Sequence, residues 1–209
     1  MMPSPSFLVI FFTALVAMVA AQGVSDTGKK DGNDFYKHAK SLSEGNYVFK
    51  GANTKKALTF VSSDNILSLL NSGSQTWEIR KHENTKYFSA HGKNNADLEK
   101  CISTRWTVGN GDGGYPDAAV LWQCEIDGSK PKSTGGYEKI FPPKQLWAAV
   151  PDPKYDGYVK IVSASHLYDM VPRCISQDKI DGGTKLAECK YDTDDKSLLW
   201  KIVKASKDD

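Results

Sequence analysis

The stretch of sequence that decides the fold runs from Cys174 to Val203 and reads CISQDKIDGGTKLAECKYDTDDKSLLWKIV. It begins with Cys-Ile-Ser, passes a Gly/Asp cluster at 181–183, and reaches Cys189 through a short apolar run. Leu199 and Trp200 then lead into apolar alternation. Short apolar and β-branched runs bounded by Gly and Asp are typical of strands joined by turns. The segment therefore predicts β-structure stapled by a cysteine pair.

A second copy of this order lies upstream. It starts with Cys-Ile-Ser at Cys101 and reaches Cys124 through Val-Leu-Trp-Gln, and Leu-Trp147 then leads into Ala-Ala-Val. This copy has more residues than the copy that precedes it in the chain, and the extra residues lie in 106–117 and 126–143. Both stretches are rich in Gly, Pro, Ser and Lys, and we expect them to form long loops.

The first copy carries no cysteine. Ala57-Leu-Thr-Phe60 takes the place of Cys-Ile-Ser, Ile66–Leu70 replaces the run into the second cysteine, and Gln75-Thr-Trp77 closes the copy. We expect Leu58 and Leu70 to hold this copy together by apolar packing, where its siblings have a disulfide.

The three copies also open alike. Their first runs are aromatic and β-branched: Gly45-Asn-Tyr47-Val-Phe, Lys86-Tyr87-Phe-Ser-Ala and Gly157-Tyr158-Val-Lys-Ile. Helical periodicity is scarce over the same region. The sequence therefore predicts an all-β fold with threefold internal repetition, in repeats of about 45–85, 86–154 and 155–204.

The four cysteines of the chain are Cys101, Cys124, Cys174 and Cys189. Four cysteines allow three connectivities, and in an exported protein they form disulfides. Because the second and third copies each contain one complete pair, the repetition predicts the bridges Cys101–Cys124 and Cys174–Cys189. We expect each bridge to stabilise its copy by about 3 kcal/mol.

The N-terminus predicts export. Phe7 to Ala20 is an almost unbroken apolar run, too short to cross a bilayer as a helix, and it ends in small residues. We predict a signal peptide over 1–21 and a secreted, extracellular chain. A polar leader over 22–44, one domain over 45–204 and a charged tail over 205–209 complete the predicted organisation.

Composition excludes some classes of function. The chain is 40% hydrophobic and 25% charged, which is ordinary for a globular protein. Its net charge of +2 comes from interspersed residues without a long basic block. The sequence therefore does not favour nucleic acid as a partner.

No pattern in the sequence indicates catalysis or a bound metal or cofactor. The four histidines are scattered and match no ligand spacing, and every cysteine is assigned to a bridge. The glycine-rich run 109–114 lacks the Lys-Ser/Thr of a phosphate loop, and 192–195 lacks the Gly and Glu of a calcium loop. We predict a protein that is not an enzyme and has neither cofactor nor metal.

Over about 45–203 the chain resembles the ricin B-type β-trefoil lectins. The likeness rests on three copies, on paired cysteines and on the Gln-x-Trp closes at Gln75-Thr-Trp77 and Gln145-Leu-Trp147. The third copy keeps only Leu-Leu-Trp200. The resemblance implies a β-trefoil, in which a six-stranded barrel is capped by three hairpins and has no free sheet edge.

The repeated tryptophans are assigned to the core. Trp77, Trp147 and Trp200 recur at the same place in each copy, which favours one shared buried layer. The motif that carries the resemblance thus argues for the fold more than for a ligand.

The resemblance also implies a carbohydrate site. In the family, a site combines an acid shortly after the first cysteine, an aromatic platform near the second, and Asn-Gln before the closing Trp. In the second copy, Trp122 supplies the platform, while Ser103 stands at the acid position and Lys144 at the Asn position; Asp112 or Asp117 can supply the lost carboxylate. The predicted site residues are Ser103, Asp112, Trp122, Lys144 and Gln145, with glycans or glycoproteins as partners.

Two alternatives stay open from sequence. Trp122 can equally be a ring packed beside its disulfide. The chain can also be a secreted protein-binding trefoil, such as a protease inhibitor or host-directed effector, that uses the loops 106–117 and 126–143 and has lost sugar binding.

Overall fold

The computed structural model describes residues 35–61, 66–70, 76–93, 99–105, 118–124, 126–127, 130–131, 144–164, 172–180 and 183–205. The predicted signal peptide, Asp112 and the greater part of the two long loops lie outside these ranges. Within the ranges, no helix is both long enough and apolar enough to cross a bilayer.

The described part of the chain is built from β-strands, which confirms the predicted all-β class. The strands are β1 (Gly45–Gly51), β2 (Ala57–Val61), β3 (Ile66–Leu70), β4 (Trp77–Lys81), β5 (Tyr87–Lys93), β6 (Glu99–Arg105), β7 (Ala118–Gln123), β8 (Ile126–Asp127), β9 (Lys130–Pro131), β10 (Trp147–Pro151), β11 (Val159–Ser163), β12 (Arg173–Ile180), β13 (Gly183–Glu188) and β14 (Trp200–Lys204). Among the described residues, helical structure is limited to short turns at 35–38, 144–145, 164 and Lys196–Leu198.

The antiparallel pairings close into a barrel. β1 pairs with β14 and β4, β5 pairs with β4 and β10, and β11 pairs with β10 and β14. The path returns to its first strand, so the backbone groups along it find partners within the sheet.

Three hairpins, β2–β3, β6–β7 and β12–β13, extend from this barrel and contact one another through β7. Besides β6, β7 pairs with β13 and with β3. Each hairpin places one apolar pair in register: Leu58–Leu69, Ile102–Leu121 and Ile175–Leu186.

Three tryptophans lie in the core and make equivalent bonds. Trp77, Trp147 and Trp200 are each 0% exposed. Their indole N–H groups donate to the carbonyl oxygens of Leu58, Ile102 and Ile175 at 2.9, 3.0 and 2.8 Å respectively. A buried indole N–H needs such an acceptor. Each of the three bonds also joins the strand that follows a hairpin to the first strand of that hairpin.

This bonding shows which position Leu58 occupies in its hairpin. Leu58 accepts from Trp77 as the isoleucines do in the other hairpins, so it occupies the isoleucine position. Ala57, which faces Leu70 across the ladder, stands where the other hairpins have their first cysteine. Leu58 is 0% exposed and packs in the barrel core, while Leu70 is the strand partner of Ala57 and not of Leu58.

Both predicted disulfides are confirmed. Cys101 is bonded to Cys124 and Cys174 to Cys189, and the structure contains no free cysteine in its described residues. In the two hairpins that contain a bridge, β6–β7 and β12–β13, the bridge joins the first strand to the residue that follows the second strand.

The end of the predicted leader packs on the barrel. Phe35 is 2% exposed and lies in an apolar cluster with Cys174 and Cys189. Its ring meets the ring of Tyr191 edge-on, and the Lys40 N–H donates to the Ala149 carbonyl at 2.8 Å. The outer side of the second disulfide is thereby covered by the chain's own N-terminal segment.

Candidate functional site

One outward face of strands β4 to β7 gathers polar and aromatic side chains. The register places Glu78, His91, Cys101 and Trp122 opposite one another in a row across the four strands. Residues directly opposite in an antiparallel sheet point to the same side, and alternate residues along each strand share that side. We call this surface the β4–β7 face; its described side chains include Glu78, Arg80, Ser89, His91, Glu99, Cys101, Ser103 and Trp122, and the register also places Lys93 opposite Glu99.

Trp122 stands at one end of the row. It is 48% exposed, whereas the three core tryptophans are 0% exposed. Its strand neighbour two residues on, Cys124, anchors it through the bridge to Cys101. The indole is therefore a flat apolar surface in contact with solvent, held on a stapled hairpin.

A hydrogen-bonded chain covers the rest of the face. Glu99 Oε1 accepts from Arg80 Nη2 at 2.6 Å and faces His91 Nδ1 at 3.1 Å. The Arg80 guanidinium also binds both carboxylate oxygens of Glu78, each at 3.0 Å. On its other side, His91 Nε2 lies 2.8 Å from the Ser89 hydroxyl.

The surroundings of these hydrogen-bonded side chains determine their protonation states. Burial lowers the pKa of the His91 imidazole and the charge of Arg80 lowers it further, against the opposing effect of Glu99, so the ring is neutral at neutral pH. An ionised carboxylate only accepts, so we assign the proton to Nδ1, which donates to Glu99, while Nε2 accepts from Ser89. The Arg80 hydrogen bond holds the pKa of Glu78 below its ordinary value.

His91 also contacts the first disulfide. Its Nδ1 lies 3.3 Å from Cys101 Sγ and 3.4 Å from Cys124 Sγ. The possible ligand atoms of these three side chains are close enough together to hold a metal ion. Because the sulfur atoms are bonded to each other, they offer no thiolate, and a single imidazole does not make a structural metal site.

The structure places the predicted site residues in different environments. Trp122 is exposed, whereas Ser103 and Gln145 are 5% and 1% exposed. The Ser103 hydroxyl donates to the Thr104 carbonyl at 3.3 Å. The Gln145 amide donates to the carbonyl of Gln123, directly after Trp122, at 2.8 Å. Lys144 is partly buried, and Asp112 lies outside the described residues.

Sequence reasoning missed the polar half of the face. It searched for an acid after Cys101, whereas Glu99 lies two residues before it. A signal was present, since side chains at i and i+2 of a strand share a face. Nothing local in the sequence, however, linked this strand to Arg80 and His91.

The equivalent face of the third hairpin is built differently. There Cys174 is opposite Ala187 and Val162, where the second hairpin has Trp122 and His91 opposite Cys101. Apolar residues of the same chain, Phe35 among them, cover its disulfide. Among the described residues, the counterpart therefore has Ala187 where the β4–β7 face has the exposed Trp122 ring.

The fold and this face define a class, the closed all-β barrels with disulfide-stapled hairpins. No family model matches the chain, and no curated protein matches it either. Among solved structures it is similar to a salivary protein from Culex quiquefasciatus of the Cysteine and Tryptophan-Rich (CWRC) family. That match has 14% identity and a TM-score of 0.51, over 80% of this chain and 98% of the other.

Two further structures are similar. A mosquitocidal holotoxin matches at 13% identity with a TM-score of 0.50, over 79% of this chain and 18% of the toxin. SeviL bound to asialo-GM1 saccharide matches at 11% identity with a TM-score of 0.49, over 78% of this chain and 100% of SeviL. At such identities the likeness concerns the fold alone.

Proposed function

We propose that the chain is a secreted carbohydrate-binding protein with a ricin B-type β-trefoil fold, and that its binding site is the β4–β7 face around Trp122. The observation that carries the proposal is the exposure of Trp122, a rigid indole on a disulfide-bonded hairpin, beside ordered polar groups. We further propose that the protein is not an enzyme and acts through binding.

The strand pairings support the trefoil. The barrel path runs through β1, β4, β5, β10, β11 and β14, the outer two strands of each predicted repeat. The inner strands form the three hairpins, as a trefoil cap requires. The three indole N–H bonds add the same contact in every repeat.

The chemistry of the face suits a sugar. A pyranose has an apolar C–H side that packs on an indole and hydroxyl groups that need acceptors and donors. Trp122 offers the ring, and Glu99 and Arg80 offer partly exposed charged groups on the same side of the sheet. We propose that Ser103 and Gln145 support this site from below, since both are buried.

The proposal of secretion rests on the apolar run at 7–20 and on the two disulfides. Disulfides persist in oxidising compartments, which is where a signal peptide would direct the chain. Expression of the full chain in a eukaryotic host, followed by N-terminal sequencing of the secreted product, tests this part. We expect a mature N-terminus at Gln22.

A glycan array probed with the secreted protein tests the function. We expect wild-type protein to bind a subset of glycans and Trp122→Ala to lose that binding. Tyr36→Ala is the matched control, because Tyr36 is a 37% exposed aromatic residue outside the β4–β7 face. Absence of any bound glycan, or equal binding by Trp122→Ala, would contradict the proposal.

A further inference from the structure

We propose that His91, Cys101 and Cys124 form a Zn²⁺ site when the bridge between the two cysteines is reduced. The inference concerns the reduced chain and does not depend on sugar binding. In the oxidised chain the three residues offer one metal ligand, the imidazole, because sulfur atoms bonded to each other supply no thiolate.

The distances among the ligand atoms fit a tetrahedral zinc ion. His91 Nδ1 lies 3.3 Å from Cys101 Sγ and 3.4 Å from Cys124 Sγ. With Zn–N and Zn–S bonds of about 2.0 and 2.3 Å, the nitrogen and sulfur ligands of a tetrahedral ion lie about 3.5 Å apart. Only the two sulfur atoms must separate, to about 3.8 Å, and reduction of their bond permits this. The oxidised chain therefore already holds the imidazole where the ion requires it.

The imidazole is also supported on its far side. Ser89 Oγ lies 2.8 Å from His91 Nε2, and the histidine is 2% exposed. When Nδ1 binds the metal, the ring proton resides on Nε2, which donates to the serine oxygen. The Ser89 hydroxyl can donate in turn to the Arg80 carbonyl, 3.5 Å away. Metal-binding histidines almost always have such a partner for their second nitrogen.

A fourth ligand and a balanced charge are at hand. Glu99 Oε1 lies 3.1 Å from His91 Nδ1, and the oxygen and nitrogen ligands of a tetrahedral zinc ion are about 3.4 Å apart. The two thiolates neutralise the charge of Zn²⁺. The three-residue site therefore adds no net charge beside Arg80, which binds Glu99, or Lys93, which is opposite Glu99 in the register.

A reductant can reach this bridge more readily than the second one. Cys124 is partly exposed, whereas Cys174 and Cys189 are 0% and 4% exposed and are covered by Phe35. A thiolate of a dithiol reductant can attack Cys124 Sγ, with Cys101 Sγ as the leaving group. The dithiol is oxidised to a disulfide, and its two protons pass to the cysteine sulfur atoms. Zn²⁺ then displaces these two protons to solvent.

The second bridge has no equivalent imidazole. Val162 is opposite Cys174, where His91 is opposite Cys101. Among the described residues, only His91, Cys101 and Cys124 bring three such ligand atoms together. The proposed site therefore belongs to the second hairpin and is not a general property of the repeats.

The test measures metal binding by the secreted protein before and after reduction with a phosphine, which has no thiol to bind zinc. Competition with a chromogenic chelator gives the affinity for Zn²⁺, and the visible absorption of bound Co²⁺ reports thiolate ligation and tetrahedral geometry. We expect the reduced protein to bind a single Zn²⁺ with a Kd of about 1 µM or lower, and the oxidised protein to bind at least about a hundredfold more weakly. Absence of zinc binding after reduction, or equal binding before it, would overturn the proposal.

Two double variants assign the cysteines. Cys101→Ala with Cys124→Ala should lose the tight binding, whereas Cys174→Ala with Cys189→Ala should retain it after reduction. Each variant lacks a bridge that full reduction opens in the wild-type protein, so the reduced wild type is the reference for both. The reverse pattern would mean that the metal is bound elsewhere.

His91→Gln tests the imidazole, and His38→Gln is its matched control. His38 is exposed and stacks on Tyr191 in the cluster beside the second bridge. Loss of an outer-shell partner costs about 10–100-fold in metal affinity, so loss of a direct ligand in His91→Gln should cost at least about a hundredfold. His38→Gln should stay within about threefold of wild type. Equal affinities of His91→Gln and wild type would contradict the role of His91.

Circular dichroism covers the case in which reduction unfolds the chain. Zinc should then restore the β-sheet spectrum of reduced wild-type protein and leave reduced His91→Gln unfolded, because binding to a folded site stabilises the fold. Zinc that restores neither protein, or both equally, would overturn the proposal.

Discussion

The Nδ1 atom of His91 lies 3.1 Å from Oε1 of Glu99, and the imidazole that carries it is 2% exposed. A nearly buried histidine thus orders a partly exposed carboxylate. Protonation of the ring would place a second positive charge beside Arg80 in a poorly hydrated position. The polar chain on the β4–β7 face is therefore linked to pH.

The free energy of unfolding should decrease as the pH is lowered, because of His91. The folded state lowers the pKa of His91 below its ordinary value of about 6.5, so below that pH the unfolded chain binds more protons. The contribution is complete above about pH 6.5 and is lost as pH falls toward the folded-state pKa. Urea unfolding between pH 8 and 5, disulfides intact, should show a steeper decline for wild-type protein than for His91→Gln. Parallel declines would contradict the assignment.

Substitution of a core tryptophan should lower the stability more than substitution of the exposed Trp122. Trp147→Phe leaves the Ile102 carbonyl without its 3.0 Å donor in the barrel core, and should lower the free energy of unfolding by about 1–3 kcal/mol. Trp122→Phe makes the same chemical change on a half-exposed side chain and should stay within about 0.5 kcal/mol of wild type. Denaturant titration of both variants checks this, and equal losses would argue against the bond.

Substitution of Gly51 should destabilise the fold, because the Gln177 side chain packs against it. A Cβ added at Gly51 would lie 2.3 Å from Gln177 Oε1. That oxygen accepts from the N–H groups of Asn53 and Thr54, while the two hydrogens of the amide nitrogen are shared among three nearby carbonyl oxygens, including those of Ser197 and Leu199. The side chain cannot move without losing these bonds.

Gly51→Ala should therefore destabilise the fold by about 1–3 kcal/mol or more, measured by thermal and urea unfolding. Gly157→Ala is the comparison, since it meets no atom within 4 Å and strains only the backbone at φ +77°. We expect a cost of about 1–2 kcal/mol there. A Gly51→Ala protein as stable as wild type would mean that Gln177 is free to rearrange.

The buried pair of Lys160 and Asp152 predicts an asymmetry. The Lys160 ammonium is fully buried and contacts the Asp152 carboxylate and the Tyr191 carbonyl. Asp152→Ala leaves that charge without its counter-ion and should cost about 3–5 kcal/mol. Lys160→Met should cost less, because Asp152 still accepts from the Lys154 and Tyr155 N–H groups. Urea unfolding of both variants tests the order, and a reversed order would contradict it.

Asp152 also predicts acid sensitivity. Burial raises its pKa, but the hydrogen bond from Lys160 and the two backbone N–H donors outweigh burial, so the folded-state pKa is lowered. The stabilisation is present above the unfolded pKa of about 3.9 and is lost as pH falls through the folded-state value. Wild-type protein should lose more stability between pH 5 and 2 than Asp152→Asn. Equal losses would rule out this contribution.

Both disulfides were predictable because they follow from local patterns. Cys-Ile-Ser and the apolar run into the next cysteine lie close together in the chain, and each pair sits within one copy. The strand partner of Leu70 was not predictable, since an apolar run without cysteines fixes no register.

Most of the candidate site was also beyond sequence reasoning. Arg80, His91 and Glu99 come from three strands, and only the pairing of β4, β5 and β6 brings them together. The burial of Ser103 and Gln145 likewise depends on how hairpin and barrel pack. Trp122 was found because its spacing from Cys124 is local.

The strand that carries Trp122 has neighbours on both sides. β7 pairs with β6 along its whole length on one edge, and with β13 and β3 at Ala118–Val120 on the other, so opening this first half requires all three hairpins to separate. Backbone amides of such a strand should be among the slowest in the protein to exchange with deuterium. Trp122 itself is paired only with β6, so the bridge between Cys101 and Cys124, and not a third strand, limits how far this end of β7 can separate from its neighbour.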